Sequence, residues 1–209
     1  MHYNFKNIKI KRIDYIDFLR GFAMLLCMLG HTNITDYFRG YIYSYHMPLF
    51  FIITGMVYKQ KASVVEFIKR KVKELLVPYY FWSFVWLVFW AILYFAAQKL
   101  GIDNGKEFSI TNSFLGIILC TRGERFGGYL WFLLALFGTI IFFDFLQRIG
   151  NKTMKIAIVA ILLISESIYL YNGAPPVPCC IDIIPIASIF VFIGMNLMGG
   201  GTYCHIIRR

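Results

Sequence analysis

The feature that most constrains this chain is a succession of apolar stretches long enough to cross a lipid bilayer. A transmembrane helix needs roughly 17 to 25 mainly apolar residues. The sequence contains six such stretches, near Ile13–His31, Tyr41–Tyr58, Leu76–Ala97, Tyr129–Leu146, Met154–Tyr171 and Ile181–Met198. Residues 108–120 are also apolar but too few to cross, and we interpret them as an interfacial or re-entrant helix. We therefore predict an all-α protein, a polytopic transmembrane bundle of about six spans plus a short interfacial helix.

The distribution of Lys and Arg predicts the orientation of the spans, because these residues in short loops favour the cytoplasmic side. With six spans and a cytoplasmic N-terminus, 15 of them lie inside and five outside. Residues 59–74 are then cytoplasmic and residues 98–127 external. A seventh crossing by 108–120 would place the basic segment 148–155 outside, which the bias disfavours. The prediction divides the chain into a cytoplasmic N-terminal segment, a transmembrane domain and a cytoplasmic tail, residues 1–12, 13–198 and 199–209.

The formal net charge of +10 does not indicate a nucleic-acid partner. Nucleic-acid binding requires basic residues that cluster on one soluble face, whereas here they lie in short loops between apolar stretches. We therefore expect a multi-pass protein of the cell membrane whose surroundings are the lipid bilayer, with its oligomeric state left open. The five cysteines have no metal-ligand spacing, and their odd number does not suggest a disulfide scaffold. We expect no metal site.

The first span contains ionisable residues that a lipid-facing helix does not need. Because a charge in lipid is costly, such residues usually face a bundle interior or a wet cavity. Eleven residues of helix return His31 to within about 20° of the face of Arg20, about 16 Å along the axis. Asp17 precedes Arg20 by three residues and can form an ion pair with it. These spacings support two interpretations equally. In the first, the residues form a functional stripe. In the second, Arg20 snorkels inward or is neutralised by Asp17, and His31 is an interfacial residue at the outer end of the span.

Five segments, in order, resemble acyltransferase family 3 of membrane proteins. The first is IDFLRGFAMLLCMLGH, which contains an Arg, ten residues and a His, the family's hallmark. The others are YHMPLFFIITGMVY, FIKRKVKELLVPY, GYLWFLLALF and IIPIASIFVFIGMNL. The HMPLFF version is most similar to members that O-acetylate exopolysaccharide and other cell-envelope sugars.

The resemblance implies transfer of an acyl group from cytoplasmic acyl-CoA to a hydroxyl of a carbohydrate acceptor. Acetyl-CoA is the donor we expect first. His31 would be the general base that removes the proton of the sugar hydroxyl. Arg20 would bind a group of the donor or a developing oxyanion, and Asp17 would orient Arg20. These three residues are the predicted catalytic set.

The residues that would bind substrates lie outside the first span. Arg70 and Lys73, in the basic segment, would bind the CoA phosphates, although the orientation bias alone also explains them. His46, near the outer end of the second span, would contact the acceptor or is an interfacial polar residue. The basic segment itself has the pattern of an amphipathic surface helix, with Ser63 and Glu66 at capping-box spacing.

Members of the family usually have about ten spans, so the resemblance implies that this chain corresponds to the N-terminal part of the domain. The activity of residues 1–209 alone is therefore open. A catalytically inactive membrane scaffold or a truncated remnant is the main alternative. A secondary transporter fits less well, because the sequence shows no repeat of broken helices in corresponding halves.

Overall fold

The computed structural model describes residues 14–101, 108–120, 130–173 and 177–198. These residues form helices and no strand, which confirms the all-α class. The α-helices in chain order are α1 (Asp14–Gly30), α2 (Asp36–Met56), α3 (Val64–Lys71), α4 (Val77–Lys99), α5 (Ile110–Leu119), α6 (Trp131–Arg148), α7 (Lys152–Tyr171) and α8 (Ile184–Leu197). A π-helical segment, Val72–Leu76, joins α3 to α4, and a 3₁₀ helix, Pro178–Ile183, precedes α8. The predicted terminal segments, 1–12 and 199–209, lie outside the described residues.

Within the described residues, four helical segments are long and apolar enough to cross a membrane, and they coincide with four of the predicted spans. They are Val64–Lys99, Trp131–Arg148, Lys152–Tyr171 and Pro178–Leu197. The other two predicted spans are helical as well. The described part of α1 contains 17 residues, the lower end of the range for a span, and α2 includes the polar residues Asp36, Arg39 and His46. The number of six spans stays a prediction.

Residues 64–99 form one continuous helix, so the prediction of a surface helix separated from the next span was wrong. The predicted start is confirmed, because the Ser63 hydroxyl accepts the Glu66 N–H at 3.3 Å. The helix does not end before Pro78, whose nitrogen cannot donate to the preceding turn. Instead, the π-helical turn at Val72–Leu76 inserts an extra residue and lets the chain continue through the proline.

The chain forms two compact units, and the first contains residues 1–59 and 189–209. In this unit α1 packs against α2. The backbone of α2 also contacts the C-terminal part of α8 at Gly55 and Gly194. A Cβ at Gly55 would overlap with the Val191 carbonyl, and one at Gly194 would overlap with the Ile52 carbonyl. Small residues permit such close approach of membrane helices.

The second unit contains residues 60–188. Its core is formed mainly by α6, which packs against the 3₁₀ helix and the π-helical segment. The Tyr79 hydroxyl of α4 donates to the Ile117 carbonyl of α5 at 2.8 Å, which holds the short helix against α4. In contrast, α7 buries none of its residues against the described part of the chain.

Two contacts between distant segments of the second unit show which connections lie side by side. Arg148 donates to the Lys61 carbonyl at 2.8 Å, and both residues belong to connections predicted to be cytoplasmic. The sulfur atoms of Cys120 and Cys180 lie 4.0 Å apart, and both belong to connections predicted to be external. A crossing by α5 would separate Arg148 from Lys61. In addition, its 10 residues span only about 15 Å, half of the bilayer core of about 30 Å.

Candidate functional site

Asp17 and Arg20 form the predicted ion pair on α1. Arg20 Nη1 lies 3.5 Å from Asp17 Oδ1, because a spacing of three residues brings both side chains to one side of the helix. The side chains remain 49% and 37% exposed, respectively. A guanidinium with this exposure on an apolar helix can still donate hydrogen bonds to an anionic or carbonyl ligand.

His31 follows the last residue of α1, which ends at Gly30. Its N–H donates to the Met28 carbonyl at 3.1 Å, a three-residue turn rather than a helical bond. The predicted stripe assumed regular helix through residue 31, whereas regular helix reaches residue 30. A face shared by Arg20 and His31 stays a prediction. The His31 side chain is exposed and is accessible to a substrate.

Tyr43 links the two predicted histidines, and sequence analysis did not find it. Its ring centroid lies 6.1 Å from that of His31 and 5.3 Å from that of His46. The Tyr43 hydroxyl donates to the Gly30 carbonyl at 3.0 Å, which fixes the end of α1 against α2. The spacing of three residues between Tyr43 and His46 was the available signal. The contact of Tyr43 with His31, across the turn between α1 and α2, could not be predicted from a local pattern.

His46 is buried, with only 2% of its surface exposed. Its Nδ1 lies 2.8 Å from the Ile42 carbonyl oxygen. Because a carbonyl can only accept, we assign a proton to Nδ1. The structure therefore brings together His31 and His46 of the predicted set, one exposed and one buried, on either side of Tyr43.

Arg70 and Lys73 lie in the second unit, and their surroundings differ. Arg70 Nε is 2.6 Å from Glu74 Oε1, and Lys71 Nζ is 2.7 Å from Glu74 Oε2. Lys73 is exposed and has no carboxylate partner within the described residues. An incoming phosphate must compete with Glu74 for Arg70, whereas Lys73 has no such competitor.

A second Asp–Arg pair, which sequence analysis did not single out, lies on α6. Arg148 Nε is 2.7 Å from Asp144 Oδ2, and the Asp144 side chain is only 3% exposed. The same guanidinium donates to the Lys61 carbonyl, so Arg148 holds the end of α6 to the segment before α3. The spacing of four residues was the available signal. This pair supports the fold, because Nε of Arg148 binds Asp144 and Nη2 of the same guanidinium binds the Lys61 carbonyl.

A metal centre is not formed by the described residues, which contain no group of three or more His, Cys, Asp or Glu side chains placed to hold an ion. The geometry therefore offers a positioned cation near one end of α1 and two imidazoles at the other. A cation and imidazoles in this arrangement can bind a polar group and transfer a proton.

Comparison with known proteins identifies the family. A family model described as an acyltransferase domain, Acyl_transf_3, matches residues 13–197. Neither the curated proteins nor the solved structures gave a significant match. The matched segment contains Asp17, Arg20, His31 and His46, together with the basic segment before α4.

Proposed function

Since the chain belongs to acyltransferase family 3 and is a membrane acyltransferase, we propose that it transfers an acyl group from cytoplasmic acyl-CoA to a sugar hydroxyl. The acyl group is acetyl and the donor acetyl-CoA. The acceptor is a cell-envelope or exopolysaccharide carbohydrate on the outer side, with the N-terminus cytoplasmic. One observation carries the proposal beyond family membership: the exposed His31 is held beside Tyr43 and His46, at the end of the helix that carries the Asp17–Arg20 pair.

His31 is the general base. As the sugar oxygen attacks the thioester carbonyl, His31 accepts the hydroxyl proton. The carbon–sulfur bond then breaks, and the CoA sulfur leaves and recovers that proton as a thiol. The products are an O-acyl sugar and CoA, so no proton or electron is left over. The exposure of His31 supports this role, because the base must contact a bulky acceptor.

Arg20 binds a part of the donor that is distant from the reacting carbonyl. Ten residue steps of α1 separate Arg20 from Gly30 by about 15 Å at a rise of about 1.5 Å per residue. His31 follows Gly30, so one small transition state cannot contact both side chains. This favours donor binding over oxyanion stabilisation as the role of Arg20. Asp17 positions the guanidinium through the contact of 3.5 Å.

His46 supports the site from within the unit, because it is buried. With Nδ1 bound to the Ile42 carbonyl, its ring orientation is fixed against Tyr43. Tyr43 in turn holds Gly30, the residue before His31. His46 thus contributes to positioning His31. Contact between His46 and the acceptor is a second proposed role, which its burial supports less.

Lys73 and Arg70 attract the CoA phosphates at the cytoplasmic surface. Lys73 is the stronger candidate of the two, since Glu74 engages Arg70. Because both side chains are exposed, salt screens their contribution.

The test is transfer of labelled acetyl from acetyl-CoA to carbohydrate in membrane vesicles that contain the chain. We expect His31→Ala to lower transfer about 10²- to 10⁴-fold, the usual contribution of a general base. Asn33→Ala is the matched control, because Asn33 is an exposed residue of the same connection, and it should retain activity. Near-normal transfer by His31→Ala at equal protein level removes the imidazole from the mechanism. No transfer by the unmodified chain favours the alternative of an inactive scaffold or a truncated remnant.

A further inference from the structure

Three cysteines of the second unit have an unusual backbone conformation. Cys120 follows α5, and Cys179 and Cys180 lie in the 3₁₀ helix before α8. Their φ angles are 45°, 58° and 54°, and no other non-glycine residue in the described ranges has a positive φ. The left-handed conformation is costly for a residue with a Cβ. All three cysteines share this conformation, so the contacts of their sulfur atoms decide which of them can pair.

Cys120 and Cys180 bring their sulfur atoms to 4.0 Å. Both residues are fully buried, with 0% of their surface exposed. Cys179 is adjacent in sequence to Cys180 but is partly exposed, and it makes no such sulfur contact within the described residues. Of the two neighbouring cysteines, Cys180 is therefore the one whose sulfur is placed to pair with Cys120.

Different parts of the unit position the two cysteines. The hydrogen bond from Tyr79 to the Ile117 carbonyl fixes the last turn of α5, three residues before Cys120. Cys180 Sγ lies 3.9 Å from the Trp131 carbonyl at the start of α6. A disulfide bond requires the sulfur atoms to approach to about 2.05 Å. The two sulfur atoms, now 4.0 Å apart, must therefore move closer by about 2 Å for the bond to form.

We propose that Cys120 and Cys180 form a disulfide bond that covalently joins the end of α5 to the 3₁₀ helix before α8. This inference rests on the proposed external location of both connections, since disulfides persist in oxidising compartments. The bond links positions 60 residues apart. Tyr79 then anchors the same short helix to α4 without a covalent bond.

The reaction is thiol–disulfide exchange with an external disulfide, RS–SR. One cysteine thiolate attacks RS–SR, forms a mixed disulfide and releases RS⁻, which takes up the displaced proton. The second thiolate attacks the cysteine sulfur of the mixed disulfide and releases the other RSH. Two protein thiols thus lose two electrons and two protons, and RS–SR becomes two RSH. Because both sulfur atoms are buried in the folded unit, exchange occurs before α5 has packed fully. The finished bond is then shielded from reductants.

Differential thiol labelling of the full chain in its native membrane tests the proposal. Acid quenching and denaturation are followed by light N-ethylmaleimide, then by a reductant, then by isotopically heavy N-ethylmaleimide. Peptide mass spectrometry reads each cysteine. We expect heavy label on Cys120 and Cys180 and light label on Cys27 and Cys179. Light label on both Cys120 and Cys180, or heavy label on Cys179 in place of Cys180, overturns the proposal.

The two adjacent cysteines provide a matched pair of variants. Cys179→Ser should leave Cys120 heavy-labelled, whereas Cys180→Ser should convert Cys120 to light label. A Cys120 that stays heavy-labelled in Cys180→Ser has another partner, and this outcome contradicts the proposal. Mapping of the unmodified chain decides the question even if a variant fails to insert. The labelling result is independent of acetyl transfer, so failure of the disulfide and failure of the acyltransferase activity are separate findings.

Discussion

Two Asp–Arg pairs within apolar helices have nearly the same chemistry and opposite surroundings. On α1, Arg20 lies 3.5 Å from Asp17, and the two side chains are 49% and 37% exposed. On α6, Arg148 lies 2.7 Å from Asp144, whose side chain is 3% exposed. Arg148 also donates to the Lys61 carbonyl. The α6 pair is enclosed and engaged, whereas the α1 pair is looser and accessible.

The exposure of each pair and its remaining contacts distinguish a structural charge from a candidate functional one in a membrane helix. An ionisable residue within a span is a candidate for function by default, and composition alone would treat both pairs alike. A ligand needs hydrogen-bonding capacity that the fold has not used. By this criterion Arg20 stays a candidate for substrate binding, whereas Arg148 is a structural residue.

The largest effect on stability is expected for Arg148→Ala. Removal of this cation leaves Asp144 as a buried carboxylate without its guanidinium, which should lower the free energy of unfolding by about 3–5 kcal/mol. Chemical unfolding in detergent measures the change. Replacing both residues by Leu and Ala should recover part of the loss, because no buried charge then remains.

The matched control for that prediction is Arg39→Ala on α2. Arg39 lies 2.9 Å from Asp36, but the Asp36 side chain is 97% exposed, and exposed pairs contribute about 0.2–1 kcal/mol. If Arg148→Ala lowers the free energy of unfolding no more than Arg39→Ala does, burial of the α6 pair does not make it more important for stability.

A smaller effect is expected at the basic segment, where the same criterion ranks two exposed residues. Lys73→Ala should raise the KM for acetyl-CoA a few-fold, in line with about 1 kcal/mol or less for an exposed charge. Arg70→Ala should raise it less, because Glu74 already engages that guanidinium. Both effects should shrink in high salt. A larger rise for Arg70→Ala than for Lys73→Ala would contradict the ranking.

Much of the fold could be predicted because it depends on local pattern. Apolar length located α4 and α6 to α8, and the spacing of Ser63 and Glu66 located the start of α3. The continuity of α3 with α4 was missed, because Pro78 ordinarily ends a helix and the π-helical turn that accommodates it has no simple sequence signature. The short α5 was predicted from length alone.

The candidate site was predictable only where its contacts are local. The Asp17–Arg20 pair followed from a three-residue spacing, and the structure confirms it. The packing of His31 against Tyr43 depends on how the chain turns between α1 and α2. The contact of Arg148 with Lys61 joins residues 87 positions apart. Such contacts arise from tertiary packing, which a periodicity along one helix does not encode.

Arg20→Ala tests whether the α1 pair is functional, and two quantities decide it: acetyl transfer in vesicles and the free energy of unfolding of the variant. We predict a loss of transfer of about 10- to 150-fold, the equivalent of one charge-assisted hydrogen bond worth about 1.5–3 kcal/mol. The free energy of unfolding should change by less than about 1 kcal/mol, as for other accessible pairs. Arg20→Lys should also be impaired, because an ammonium group does not reproduce the planar guanidinium. Near-normal transfer by Arg20→Ala would contradict donor binding by Arg20. A loss of stability as large as that of Arg148→Ala would show that the α1 pair is structural.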